Sequence, residues 1–298
     1  MGIALSVIIP TYRRPRLLCE ALEALNQQTY PASQYEVLVA DDGSQDGTLS
    51  ALQQQASLMR PRTVVLSCTH RGPAAARNQG IAAAQGEILL FLDDDVIATP
   101  TLLAEHMGIH EKSSEIAVLG MVEWFSTPPP TAFMRFLAPR GPLFHYHTIR
   151  DFRAASFKHF YALNISLERS WFTSIRFDEE SFPFAALEDS ELGYRLFQKG
   201  LRIVFHPKAL AYHRHTYTPE EFWRRMETVG ASASTLLRKH PELRWHYLPP
   251  GLLFAGRLMG WFTRFEQLAP FFGKNWWWAK TVVHYTNGIR LRKADPII

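Results

Sequence analysis

Cysteine is nearly absent: the 298 residues contain two, Cys19 and Cys68. That excludes a disulfide framework and fits a reducing compartment. Surplus charge is also scarce. The chain has 32 basic and 28 acidic residues, a net charge of +4, too mild to argue for nucleic acid. Long apolar runs are missing as well. The first ends at Pro10 with no basic stretch before it, so no secretory signal is read there. Those near the C-terminus are too short and too charged to span a bilayer convincingly. His145-Tyr146-His147 and His213-Arg214-His215 lack Cys or Glu at zinc spacing, which argues against zinc. With 47% hydrophobic and 20% charged residues, the chain reads as globular. The expected location is cytoplasmic, extending to the cytoplasmic face of a membrane.

Two modification motifs are read as coincidence. Met1-Gly2 with Ser6 matches a myristoylation pattern but runs into a predicted strand. Asn164-Ile165-Ser166 matches a glycosylation sequon, which means little without an export signal.

What is present is organised around Glu87-Ile88-Leu89-Leu90-Phe91-Leu92-Asp93-Asp94-Asp95. The apolar run predicts a buried strand. Three adjacent carboxylates repel one another and need water or a cation to coexist. Before them come predicted strands at Leu5 to Pro10, Glu36 to Ala40 and Thr63 to Ser67. Helices are predicted from Pro15, after Asp46, and from about Pro73 to Ala84. Thr99-Pro100 is read as a cap and first helical position, and Ile116 to Met121 as a fifth strand. The alternation predicts an α/β fold whose central sheet is mostly parallel, with helices on both faces. In such a sheet ligands bind outside the carboxyl ends of the strands. Pro10-Thr11-Tyr12, Asp41-Asp42 and Asp93 to Asp95 all fall there, so they form one candidate site.

Beyond Met121 the alternation fails. Thr127 to Pro130 is a rigid connector, and residues 131–160 read as a loop-rich, acceptor-side region. A helix holds Glu188 and Asp189. Strands are expected at Leu201 to Phe205 and at Ala209 to His215. Thr218-Pro219-Glu220-Glu221 is a capping box for a helix running to about Lys239. In the tail, aromatic residues interleave with Arg and Lys. That pattern suits an interfacial helix at an acidic membrane surface, and equally a C-terminal helix packed on the domain or a second subunit.

Five motifs in order resemble a family-2 glycosyltransferase with the GT-A fold: Ser6-Val-Ile-Ile-Pro-Thr-Tyr12, Asp41-Asp-Gly-Ser44, Gly72-Pro-Ala-Ala-Ala-Arg77-Asn78-Gln-Gly80, Phe91-Leu-Asp-Asp-Asp95 and Glu188-Asp189. The resemblance covers residues 4 to 215 and leaves the tail unmatched. It implies a nucleoside-diphosphate-sugar donor held by Pro10, Thr11, Tyr12, Asp41, Asp42, Arg77, Asp93, Asp94 and Glu188. Asp42 would contact the base with Asp41 nearby, and either Asp93 or Asp94 the ribose. A carboxylate accepts the imide N–H of uracil, which favours UDP or dTDP; guanine offers a similar N–H. Arg77 would be a fixed cation near the diphosphate or the base. Asp95, with His213, would ligate Mg²⁺ or Mn²⁺. Asp189 would be the base of a one-step, inverting displacement, and Asn164 would orient the sugar or acceptor unless it is a satisfied buried amide.

The expected acceptor is a hydroxyl of a glycan or glycolipid, as in surface-polysaccharide synthesis. The expected division is a nucleotide-sugar half at 1–122, an acceptor-side half at 123–217 and a helical C-terminal extension at 218–298 that meets a membrane surface or another protomer. A sugar nucleotidyltransferase would want a glycine-rich loop where this chain has Pro10-Thr11-Tyr12-Arg13-Arg14-Pro15. An inactive scaffold is opposed by the full set of acids, and a nucleic-acid binder by the acid-lined edge.

Overall fold

The computed structural model describes residues 2–294. They form two compact units: one runs up to residue 131 and from 137 to 215, the other joins residues 132–136 to the chain from 216 onward.

In chain order the first unit holds β1 (Leu5–Thr11), α1 (Pro15–Asn26), β2 (Tyr35–Asp41), α2 (Thr48–Ser57), β3 (Arg62–Ser67), α3 (Pro73–Ala83), β4 (Ile88–Leu92), β5 (Val96–Ala98), α4 (Leu102–His110) and β6 (Ile116–Trp124). After α5 (Ala132–Leu137), which belongs to the second unit except for its last residue, come β7 (Asn164–Glu168), α6 (Glu188–Gln198) and β8 (Arg202–His213). Pro15 and Pro73 open α1 and α3, where a missing N–H costs nothing. Leu18, Ala21, Leu22 and Leu25 form the buried stripe of α1.

All eight strands join one sheet, in the order β3-β2-β1-β4-β7-β6-β8-β5. Every residue of β1, β2 and β4 is buried, as expected of strands covered on both faces. The first four strands are parallel, as are β6 and β8, but β7 runs antiparallel to both its neighbours and β5 antiparallel to β8. The sheet is therefore mostly parallel, as expected, with antiparallel pairings at β7 and β5.

The reversal at β7 was hidden by Asn164 and Ser166, whose polarity obscures a buried strand. Both are fully buried, and their polar groups are satisfied. Asn164 donates to the carbonyls of Met121 and Ala209, at 3.2 and 3.0 Å. His106 lies 2.9 Å from Asn164 Oδ1 and 2.8 Å from Ser166 Oγ, and His110 2.8 Å from the same hydroxyl. Asn164 is thus a satisfied buried amide rather than an exposed sequon; Ser6 is likewise buried in β1, and Met1 lies outside the described residues.

Two further expectations change. Residues 202–213 form one strand rather than two, with a register irregularity opposite Gly120 and Met121. α4 starts at Leu102 with Thr101 before it, because the Thr99 hydroxyl donates to the Leu210 carbonyl, at 2.7 Å, instead of capping the helix.

The second unit is helical: α7 (Pro219–Lys239), α8 (Arg244–Tyr247), α9 (Leu252–Phe262), α10 (Ala269–Phe272) and α11 (Lys274–Ala294). The expected capping box opens α7, with the Glu221 amide donating to Thr218 Oγ1 at 3.3 Å and the Thr218 amide to Glu221 Oε2 at 2.9 Å. α7 and α11 meet backbone to backbone at two glycines. A Cβ on Gly230 would lie 2.0 Å from the Tyr285 carbonyl oxygen, and one on Gly288 2.0 Å from that of Glu227. Phe133 of α5 packs edge-on against Trp277 and Phe222, at 5.3 and 5.9 Å between ring centroids. Among the described residues no helix is long and apolar enough to cross a membrane.

Candidate active site

The parallel strands bring their carboxyl ends level. Thr11 pairs with Asp41 across β1 and β2, and Ile8 with Phe91 across β1 and β4. The turn after β4 therefore carries Asp93, Asp94 and Asp95 beside the end of β1. Thr11 Oγ1 donates to Asp94 Oδ2 at 2.8 Å, and Pro10 is buried in the strand behind it.

Asp94 and Asp95 share one cation. Arg14, at the start of α1, places Nη1 at 3.2 Å from Asp94 Oδ1 and 3.1 Å from Asp95 Oδ2. Both carboxylates are buried, while the arginine side chain is 45% exposed. Burial, then the charge of Asp95, pushes the Asp94 carboxyl up to about 7 against the opposing pull of Arg14. The pair is short of positive charge.

The third acid of the run faces elsewhere. Arg77, on α3, donates from Nη2 to Asp93 Oδ1 at 2.7 Å and from Nη1 to Glu188 Oε1 at 2.9 Å. Burial works against its charge, and Asp93 and Glu188 outweigh that, so it stays a cation. Arg77 therefore ties the acids after β4 to those opening α6. Burial and then Asp189 raise Glu188 to about 7. Leu187, just before this pair, has φ of 65°, a left-handed conformation that costs a bulky side chain strain of about 1–3 kcal/mol. The strained residue sets where α6 begins and so where Glu188 and Asp189 stand. Asp189 Oδ1 accepts from the Ser190 amide at 2.7 Å, Oδ2 from the Ala162 amide at 3.4 Å. Burial raises its carboxyl above the usual range, yet Asp189 is not fully closed off from solvent.

At the end of β2 the two acids differ. Asp42 accepts from the amides of Arg71 and Gly72, at 2.9 and 3.0 Å, and lies 2.8 Å from His70 Nδ1. Those partners fill most of its roughly four lone-pair positions. Gly72 is required there: its φ is +93°, and a Cβ would lie 2.0 Å from the Pro183 carbonyl oxygen. Asp41 accepts from the Ser44 amide through Oδ2 at 3.2 Å, while its buried Oδ1 has no hydrogen-bond partner among the described residues. Tyr12 stacks on His70, 4.2 Å between centroids.

His213, at the end of β8, has Nε2 3.6 Å from Asp95 Oδ1. That oxygen is buried and has no hydrogen-bond partner among the described residues. One carboxylate oxygen and one imidazole, completed by phosphate oxygens and water, fit the way Mg²⁺ or Mn²⁺ is usually held. No group of three or more potential ligands stands ready among the described residues, so the protein supplies only part of such a shell.

The structure places Thr11, Asp93, Asp94, Asp95, Arg77, Glu188 and His213 in linked contacts and leaves Asn164 inside the sheet, and it gives Arg77 two carboxylate partners within the protein. Arg14 and His70 were missed as site residues. Arg14 lies 80 positions from Asp94, and only strand order joins them.

Comparison with known proteins identifies the family. Residues 6–173 match the family model of glycosyl transferase family 2. The chain belongs to that family. It is 30% identical over 268 residues to validoxylamine A glucosyltransferase of Streptomyces hygroscopicus subsp. jinggangensis, covering 80% of this chain and 61% of that protein. Chondroitin synthase of Escherichia coli is 25% identical over 266 residues, which span 38% of its length. The chain thus spans less than two thirds of these relatives. In fold it is similar to the mannosyltransferase PcManGT from Pyrobaculum calidifontis, solved with GDP-Man and Mn²⁺ (TM-score 0.72, 18% identity, 100% of this chain and 89% of that one). It is also similar to Staphylococcus aureus TarS 1–349 bound to UDP (TM-score 0.60, 18% identity, 98% and 92%). Both are GT-A glycosyltransferases, which makes this fold GT-A.

Proposed function

We propose that this chain transfers a sugar from a uridine-diphosphate donor to an acceptor hydroxyl with inversion at the anomeric carbon. The observation that carries the reading is the run of acids at the carboxyl ends of β2 and β4, Asp41 and Asp93 to Asp95, tied through Arg77 to Glu188, which opens α6 beside Asp189.

The base lies against the end of β2, on the stacked Tyr12–His70 edge. Its imide N–H goes to the Asp41–Asp42 pair, where Asp41 Oδ1 is the acceptor without a partner among the described residues. Asp42 holds the 70–72 turn in shape and reaches the base with what capacity remains. The ribose hydroxyls go to Asp93 or Asp94. Asp95 and His213 would hold a divalent cation, which when bound would supply neutralisation of the leaving diphosphate. Arg77 fixes Asp93 and Glu188 in place and keeps positive charge beside the cleft. Asp189 takes the acceptor's proton. The acceptor oxygen forms its bond to the anomeric carbon as the bond to the diphosphate breaks. A base with a raised pKa suits proton abstraction near neutral pH.

The acceptor is a glycan or glycolipid hydroxyl presented at a surface that the helical unit contacts. The chemistry is tested by incubating the protein with UDP-, dTDP- and GDP-sugars, with Mn²⁺, Mg²⁺ or EDTA, and measuring the diphosphate released and the anomer formed. Release from a UDP-sugar that EDTA abolishes, with an inverted product, is expected. Release unaffected by EDTA, or with retained configuration, contradicts the mechanism.

A further inference from the structure

The outer face of α9 is built the wrong way round for a helix in water. Its inner face packs on α11 through Gly256, where a Cβ would lie 2.2 Å from Thr286 Oγ1. A surface helix turns polar residues to the opposite side. Here that side carries Phe254, Leu258 and Trp261, at helical spacing, 72%, 60% and 62% exposed. The stripe continues into Phe265, whose ring centroid lies 5.5 Å from that of Trp261, and Phe271 in the following segment is 83% exposed. Monomeric proteins rarely leave so much contiguous hydrocarbon in water without a partner.

The charge around this face selects the partner. Between residues 251 and 274 the basic side chains are Arg257, Arg264 and Lys274, all exposed, and the one acid is Glu266. Glu266 is itself paired with Lys280 at 3.5 Å. Arg257 sits within the apolar stripe, between Phe254 and Leu258 in sequence. Two copies packed face to face would bring these cations together. An anionic bilayer takes the aromatic rings among its acyl chains and the arginines among its phosphates, each side chain keeping its polar end wet.

The geometry points to this face as a docking surface for an anionic membrane, with the helical unit lying on the bilayer rather than crossing it. The inference deepens the proposed surface-presented acceptor. It rests on the helical unit alone, and its test involves no sugar chemistry, so either reading can fail without the other.

The test is co-sedimentation of the full chain with phosphatidylcholine vesicles and with vesicles containing phosphatidylglycerol, with light scattering on the lipid-free protein. The chain should bind the phosphatidylglycerol vesicles, release in high salt and show a blue shift of tryptophan emission. The triple variant Phe254→Ser, Leu258→Ser, Trp261→Ser should lose binding by about a hundredfold or more, since it removes three large apolar side chains from the contact. Arg257→Glu with Arg264→Glu should weaken it at least about tenfold. These side chains are exposed, so circular dichroism and melting temperature should be unchanged. Absence of binding to either vesicle overturns the proposal. So does binding that ignores both variants, or a stable lipid-free dimer that the triple variant dissociates, which would make the occupant a second copy.

Discussion

In the sheet unit, Arg77, Asp94, Asp95 and Glu188 are each about 5% exposed; in the helical unit, Phe254, Trp261 and Phe271 are mostly open to water. Charged side chains are ordinarily outside and large apolar ones inside. Each unit departs from that rule in the opposite direction, and neither departure helps folding. A buried ion pair often contributes less than the apolar residues that could replace it, and an exposed aromatic ring contributes little. Both departures make sense where something else completes the surface: a phosphorylated, metal-bearing ligand in the first unit, a lipid surface in the second. The comparison also separates what stabilises each unit. The first rests on fully buried strands, the second on the close α7–α11 contact at Gly230 and Gly288.

The comparison can be broken most sharply at Asp189. Asp189→Asn removes the proposed base and leaves the fold, so turnover should drop by about 10²- to 10⁴-fold, with donor binding kept. Retention of activity in a diphosphate-release assay would make the acid structural. Next in size is Arg77→Met, which leaves Glu188 and Asp93 without their cation. We expect about 3 kcal/mol lost by urea denaturation. Adding Glu188→Gln should recover much of the stability but not the activity. Recovery of both would show that the pair only holds the fold.

A smaller, graded effect comes from pH. His106 is fully enclosed, and burial drives its imidazole down to about 3, with Asn164 opposing. The unfolded chain then binds the proton more tightly than the folded one. Its contribution is complete above about pH 6.5 and is lost as pH falls toward 3, by at most about 1.4 kcal/mol per unit. The stability difference between wild type and His106→Gln, measured by urea denaturation from pH 7 to 4, should change with that slope, while the raised carboxyls of Asp94 and Glu188 act the other way in both proteins. The smallest effect is expected at Arg14. Its guanidinium stands on Asp95, the carboxylate proposed to hold the divalent cation, and on its neighbour Asp94, but it is half exposed and screened. Arg14→Ala should tighten Mn²⁺ binding to the nucleotide-free protein several-fold, read by electron paramagnetic resonance. Unchanged or weaker binding would mean that Arg14 and the ion do not compete.

Much of this was legible in the sequence, for physical reasons. Fully buried strands such as Ile88–Leu92 announce themselves as apolar runs, and the acids after them fall at the strand ends by topology alone. The motifs of Asp41, Asp94 and Asp189 could be ordered before any coordinates. β7 was not legible, because Asn164 and Ser166 are polar residues buried with partners from β6, α4 and β8. Neither were Arg14 and His70, since long-range pairs leave no local period. The outer face of α9 was visible only as an aromatic, basic tail. Periodicity says that a stripe is apolar, not whether another helix covers it.

The account's central claim is that the acids at the strand ends form a metal-assisted site for a nucleoside diphosphate. Isothermal titration of UDP into the protein, with and without Mn²⁺, on wild type and Asp95→Asn, addresses it most directly. The account predicts binding that Mn²⁺ tightens at least about tenfold in wild type, with that gain absent in Asp95→Asn. UDP binding of equal strength with and without Mn²⁺, or no binding under either condition, would contradict it.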